Sequence, residues 1–68
     1  MMKTFCERLK ELRLENNLTT TQLGELLGVN NSTVSRWERG EILPSIEHVY
    51  NICKRFDISS DYLLGLID

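Results

Sequence analysis

Apolar residues fall at helical spacing from the start of the chain. Phe5, Leu9, Leu12 and Asn16 follow the order i, i+4, i+7, i+11, which stacks one stripe along a helix predicted over about Thr4 to Asn16. Leu14 lies off that stripe and is expected at the surface. The pair Asn16-Asn17 suits a stop, because asparagine tolerates the left-handed backbone that ends helices. The run Thr19-Thr20-Thr21-Gln22 then announces a second helix: the Thr19 hydroxyl can accept from the Gln22 amide while the Gln22 side chain reaches back. Leu23, Leu26 and Leu27 give this helix an apolar face, and Gly28 followed by Val29 ends it after about two turns.

A third helix starts at once, with Asn30 as its cap, Asn31 to Arg39 as its body and Gly40 as its end. Its spacing turns Val34, Trp37 and Glu38 inward, and Asn31, Ser32, Thr33, Ser35, Arg36 and Arg39 outward. After Glu41-Ile42-Leu43-Pro44, Ser45 caps a fourth helix whose buried stripe is Ile46, Val49, Ile52, Cys53 and Phe56. Asp57 ends it and Ile58 plugs the core. Ser59 caps a short fifth helix from Ser60 to about Leu64, and the apolar tail Gly65-Leu66-Ile67-Asp68 follows. No segment alternates at period two for long enough to make a strand, so the predicted fold is all-α with five helices.

Composition narrows the function classes. Sixty-eight residues, 41% apolar and 26% charged, read as one globular domain over residues 1–68. No apolar run approaches the roughly 20 residues of a bilayer span. Met1-Met2-Lys3-Thr4 has neither an apolar stretch nor a cleavage site, so a cytoplasmic location without membrane attachment is expected. Cys6 and Cys53 lack zinc-ligand spacing and His48 is the single histidine, so no metal site or cofactor is expected. Cys53, among Val49, Ile52 and Phe56, reads as a buried reduced thiol. Ser59, His48 and Asp61 have the side chains of a hydrolase but no nucleophile elbow, and a domain this small has little room for a substrate pocket; an enzyme is not expected.

The second and third helices, joined through Gly28-Val29-Asn30, form a helix-turn-helix, since the glycine turn leaves only a sharp connection. An α-helix fits the major groove of double-stranded DNA, where Asn31 can pair bidentately with adenine and Arg36 can fork onto guanine. Ser32 and Ser35 can donate or accept to several bases, and the Thr33 methyl can touch thymine. Trp37 reads as a core wedge rather than a base-stacking platform. Lys3 and Lys10 read as helix-surface charges, and Lys54-Arg55 suits the negative pole of the fourth helix. The net charge of −2 sits awkwardly with phosphate neutralisation, but Glu38 faces inward, so the outward face of the third helix carries no carboxylate.

The segment from Leu18 through Gly40, LTTTQLGELLGVNNSTVSRWERG, resembles the helix-turn-helix of the lambda-repressor/Cro family, also called the XRE family. Leu43-Pro44-Ser45-Ile46-Glu47 and Asp61-Tyr62-Leu63-Leu64-Gly65 are similar to that family's last two helices, so the likeness covers about residues 5–65. The resemblance implies a compact five-helix lambda-repressor-like domain and a sequence-specific regulator of transcription, read here as a repressor. It implies base contacts at Asn31, Ser32, Ser35 and Arg36, and phosphate contacts at Thr19, Thr20 and Arg39. It also implies a structural ion pair between Arg13 and Glu38, with phosphate contact as a secondary role for Arg13. Two departures stand out: Gly24 where the family usually has alanine, and Glu41-Ile42-Leu43 where basic residues are common.

One short recognition helix makes too few base contacts for a genome, so the expected form is a homodimer on a pseudo-palindrome. Tyr62, Leu63, Leu66 and Ile67, with Ile42 and Leu43 beside them, are the candidate dimer surface; core closure by Leu63 and Tyr62 is the alternative. The rival function is a protein-interaction module of the same fold, such as a small antitoxin or anti-repressor that binds a regulatory protein partner. The acidic balance and Glu41 favour that rival, and Arg36 and Arg39 oppose it.

Overall fold

Side chains that satisfy backbone amides set where the helices begin. The computed structural model describes residues 2–67, with side chains from residue 4 onward; the expectation for Lys3 lies outside the described side chains. The helices are α1 (Met2–Glu15), α2 (Thr20–Leu27), α3 (Asn31–Arg39), α4 (Ile46–Phe56) and α5 (Ser60–Leu64). Thr19, Asn30, Ser45 and Ser59 accept from the amides of Gln22, Thr33, His48 and Tyr62, each relieving a donor that the first turn of a helix leaves unpaired. At Thr19 the full capping box forms, with the Gln22 Oε1 accepting from the Thr19 amide at 2.9 Å. At the other ends, Gly28, Gly40, Asp57 and Gly65 turn left-handed, as does Asn17 with φ 56° after α1. No strand occurs among the described residues, and no helix is long and apolar enough to cross a membrane.

The five helices close around Phe5, Leu9, Leu12, Leu23, Val34, Trp37, Ile52 and Leu63. Trp37 is the largest of these and is only 1% exposed, which fixes it as a wedge in the core. The Phe5 ring meets it edge-on at 6.5 Å, and the His48 ring lies at 5.0 Å. α1 packs on α3 and α5, while α4 closes the other side against α2 and α5. Burial of each large side chain contributes about 1.5–3 kcal/mol, so this small set supplies much of what a domain of this size has.

Several expectations need correction. α1 begins at Met2, two residues before the predicted Thr4. Asn16 leaves the predicted stripe: it is exposed in the turn, where its side-chain amide donates to the Leu12 carbonyl at 2.8 Å. Leu26 is 39% exposed, and only Leu23 of the α2 leucines is fully buried. Ile46 is 90% exposed, because as the first residue of α4 it has no preceding helical turn to stand over. Leu63 is fully buried and therefore closes the core rather than offering a surface. Cys53 is half-buried, and desolvation pushes its thiol pKa up, consistent with a reduced, unreactive side chain.

Arg8 joins the two ends of the fold, a role the sequence did not announce. Its guanidinium donates to the carbonyl of Tyr62 and, at 2.9 Å, to that of Ile67. It also lies 4.2 Å from the centre of the Tyr62 ring.

Candidate nucleic-acid interface

The turn between α2 and α3 is held from inside by a glycine and from outside by a left-handed one. Gly24 is buried, and a Cβ there would stand 2.6 Å from the Val29 carbonyl oxygen and 3.3 Å from the Asn30 carbonyl carbon. The turn therefore lies closer to α2 than a methyl group allows. Gly28, at φ 75° and ψ 28°, reverses the chain, and the Val29 amide returns to the Gly24 carbonyl at 2.9 Å. Only Gly28, Val29 and Asn30 separate the two helices, so α3 is delivered across α2 at a sharp angle.

The inner side of α3 is fixed by apolar contact and by one charge pair. Val34 and Trp37 are buried. Beside them, the Arg13 Nε donates to Glu38 Oε2 at 2.7 Å and its Nη2 to Oε1 at 3.0 Å, a two-pronged pair. The Arg13 Nη1 also donates to the Leu18 carbonyl at 3.0 Å, tying the loop before α2 to both helices. The hydrogen bonds to Glu38 hold the Arg13 guanidinium protonated beyond its usual range. Side-chain exposures of 13% for Arg13 and 8% for Glu38 make this a nearly buried pair, with the Glu38 carboxylate withdrawn from the outer face.

What remains outward on α3 is polar or cationic. Asn31, Ser32, Arg36 and Arg39 are exposed, and Thr33 and Ser35 are half-buried. At 3.6 residues per turn, Asn31 and Arg36 stand about 140° apart around the axis. Ser32, Ser35 and Arg39 lie between them, so Asn31 and Arg36 mark the edges of one arc rather than adjacent points. The Ser32 and Thr33 hydroxyls both donate to the Asn30 Oδ1, at 2.7 and 2.8 Å. At the start of α2, the Thr19 hydroxyl and amide are occupied by the capping box; Thr19 is exposed and Thr20 half-buried.

Arg39 is exposed, as its spacing predicts, and carries an ion pair that the sequence reading does not include. Its Nε donates to Glu41 Oε2 at 2.7 Å and its Nη2 to Oε1 at 3.3 Å, on open surface. The hydrogen bond from Arg39, with charge from Arg36 adding to it, holds the Glu41 carboxyl below the usual carboxylate range. The face free of carboxylates within α3 thus acquires one from the residue just past its end. The sequence reading contains no partner for Glu41; the signal for the pairing lies in the intervening Gly40, whose left-handed backbone brings positions two apart together.

The candidate dimer surface is partly redistributed. Leu66 and Ile67 are 68% and 52% exposed, while Tyr62 is half-buried beneath Arg8. Ile42 packs on the core, whereas Leu43 at 67% and Ile46 at 90% stand out beside a shallow apolar groove that runs past Pro44, Val49 and Leu64.

Comparison with known proteins returns one family. Residues 9–63 match the helix-turn-helix family. The chain is 34% identical over 64 residues to the HTH-type transcriptional regulator YobD of Bacillus subtilis, covering 94% of this chain and 57% of that protein. It is 36% identical over 58 residues to Repressor protein C2 of Salmonella phage P22, covering 85% of this chain but 27% of the repressor. The crystal structure of P22 c2 repressor with a synthetic operator superposes at a TM-score of 0.81 and 34% identity, over 87% of this chain and 89% of that one. The restriction-modification controller protein C.AhdI of Aeromonas hydrophila superposes at 0.81 and 31% identity, over 91% and 94% of the two chains. The chain thus spans about half of YobD and about a quarter of the full phage repressor.

Proposed function

The chain belongs to the XRE-type helix-turn-helix family of lambda-repressor-like transcriptional regulators, and from that premise we propose that it binds double-stranded DNA sequence-specifically by laying α3 in the major groove. One observation carries the reading: α3 is anchored by Val34, Trp37 and the Arg13–Glu38 pair, so its exposed arc is polar and cationic. Asn31 and Arg36, at the two edges of that arc, reach base edges toward opposite walls of the groove, with Ser32 and Ser35 between them. Phosphates are held by Thr19, Thr20 and Arg39, the threonines aided by the positive end of α2. The chain acts in the cytoplasm as a repressor and as a homodimer on a pseudo-palindromic operator, with Leu66 and Ile67 at the contact between copies. The relatives it matches bear the names of a transcriptional regulator and a repressor, and the proposed role requires neither catalysis nor a cofactor.

The test is binding to duplexes enriched from random DNA, measured over a salt series. Affinity falls steeply between about 50 and 200 mM salt if phosphates are neutralised. Arg36→Ala costs about 1–3 kcal/mol and relaxes choice at one base pair, whereas Arg39→Ala weakens all sequences alike. Equal losses for both variants on every duplex contradict the assignment of Arg36 to bases. The acidic net charge and the Glu41 carboxylate beside Arg39 favour a second reading, a protein-interaction module of antitoxin or anti-repressor type. Failure to enrich any duplex supports that module instead.

A further inference from the structure

Glu41 stands where a carboxylate gains little for the fold. It follows the C-terminus of α3, where the helix dipole leaves partial negative charge that repels an anion. It is nevertheless held in place: Gly40 turns left-handed, the Glu41 amide donates to the Arg36 carbonyl at 2.9 Å, and Ile42 next to it is packed on the core. The backbone is thus fixed on both sides of a side chain that is itself exposed, and that side chain grips Arg39 with both oxygens. A two-oxygen acceptor on an arginine fork has the geometry with which a phosphate diester meets the same fork. Glu41 also feels the charge of Arg36, the other arginine of the outer arc.

We propose that Glu41 is an internal stand-in for DNA phosphate: it occupies Arg39 in the free chain and must be displaced before Arg39 can grip the backbone, which lowers affinity for all sequences alike. The inference rests on the DNA-binding reading above and adds an affinity-setting residue to it. The exposed Arg39–Glu41 pair is itself screened by salt, so its competition fades as salt rises and the salt dependence of the native chain is slightly shallower than that of a chain without it. Discrimination between sites is untouched, because the contact is to phosphate and carries no base information. The effect is to lower occupancy of every duplex alike without altering the side chains that read bases.

The experiment compares the native chain with Glu41→Gln, Arg39→Gln and the double variant, on an enriched duplex and on a duplex of scrambled sequence, across a salt series. Glu41→Gln is expected to tighten both duplexes by about two- to fivefold, the scale of one exposed ion pair. The slope of log affinity against log salt steepens by much less than one phosphate contact, because both complexes neutralise the same phosphates and only the screening of the exposed Arg39–Glu41 pair differs. In the Arg39→Gln background the same change is expected to have no effect. Equal tightening with and without Arg39 overturns the proposal in favour of simple removal of a negative charge near DNA. No tightening by Glu41→Gln or by Glu41→Ala, in a chain whose DNA binding still depends on Arg36, overturns it while leaving the DNA reading intact. Absence of binding to either duplex by every variant removes the DNA reading and this inference together.

Discussion

At the scale of single residues, two arginine–glutamate pairs of similar geometry do different things because water reaches one and not the other. Arg13 and Glu38 are almost enclosed, so removing one partner strands a charge among Val34, Trp37 and their neighbours. Glu38→Ala is expected to destabilise the fold by about 3 kcal/mol in urea unfolding, the low end for a buried pair because Arg13 keeps 13% exposure. Replacing both together, Arg13→Met with Glu38→Leu, is expected to recover most of that loss, since the cost lies in the orphaned charge. Glu41→Gln, by contrast, leaves the unfolding midpoint where it was, because exposed pairs contribute little to stability. The two pairs were unequally legible. The first was implied by family resemblance, and a spacing of 25 residues gives no local clue. The second joins residues two apart, which do not face one another on a helix; only the left-handed Gly40 between them brings them together.

At the scale of elements, most of the fold was readable because chemistry at the helix ends is local. Thr19, Asn30, Ser45 and Ser59 accept from an amide three residues on, and that offset is visible in sequence. What did not transfer is which apolar residues are covered. Leu26 and Ile46 satisfy the periodicity and yet are exposed, because periodicity assigns a face and not the length of neighbouring helix that covers it. The turn of the helix-turn-helix gives a sharper test of how its two glycines differ. A Cβ at Gly28 would meet nothing within 4 Å, so Gly28→Ala costs only the strain of a left-handed alanine, about 1–2 kcal/mol. Gly24→Val drives a branched side chain into the Val29 carbonyl and the start of α3. It is expected to cost about 3 kcal/mol and, by tilting α3, to reduce DNA affinity in the fraction that remains folded. Thermal unfolding and binding at a temperature below both transitions separate these effects.

At the scale of the whole molecule, the question is how a domain with few core side chains keeps α3 and the segment bearing Leu66 and Ile67 in a fixed relation. α1 is the common partner, touching α3 on one side and α5 on the other. Arg8 reinforces the second contact by donating to the carbonyls of Tyr62 and Ile67, so the segment bearing Leu66 and Ile67 is held against α1 and not only by the burial of Leu63. Arg8→Ala removes those bonds without touching the α2–α3 turn. One charge-assisted bond on a half-buried group and one on exposed Ile67 set a loss of about 2 kcal/mol at most. It should appear as faster amide exchange in α5 and the Gly65–Leu66 turn, with α2 and α3 protected as before. If copies meet through Leu66 and Ile67, a loosened segment lowers their mutual affinity and not the grip of each on its half-site. Arg8→Ala is therefore expected to bind a single half-site as the native chain does and to lose about tenfold on a full pseudo-palindrome, the equivalent of roughly 1.4 kcal/mol. Equal binding of Arg8→Ala and the native chain to the full site, despite faster exchange in α5, places the contact between copies elsewhere. The exposed Leu43 and Ile46 beside the apolar groove are then the surface to vary next.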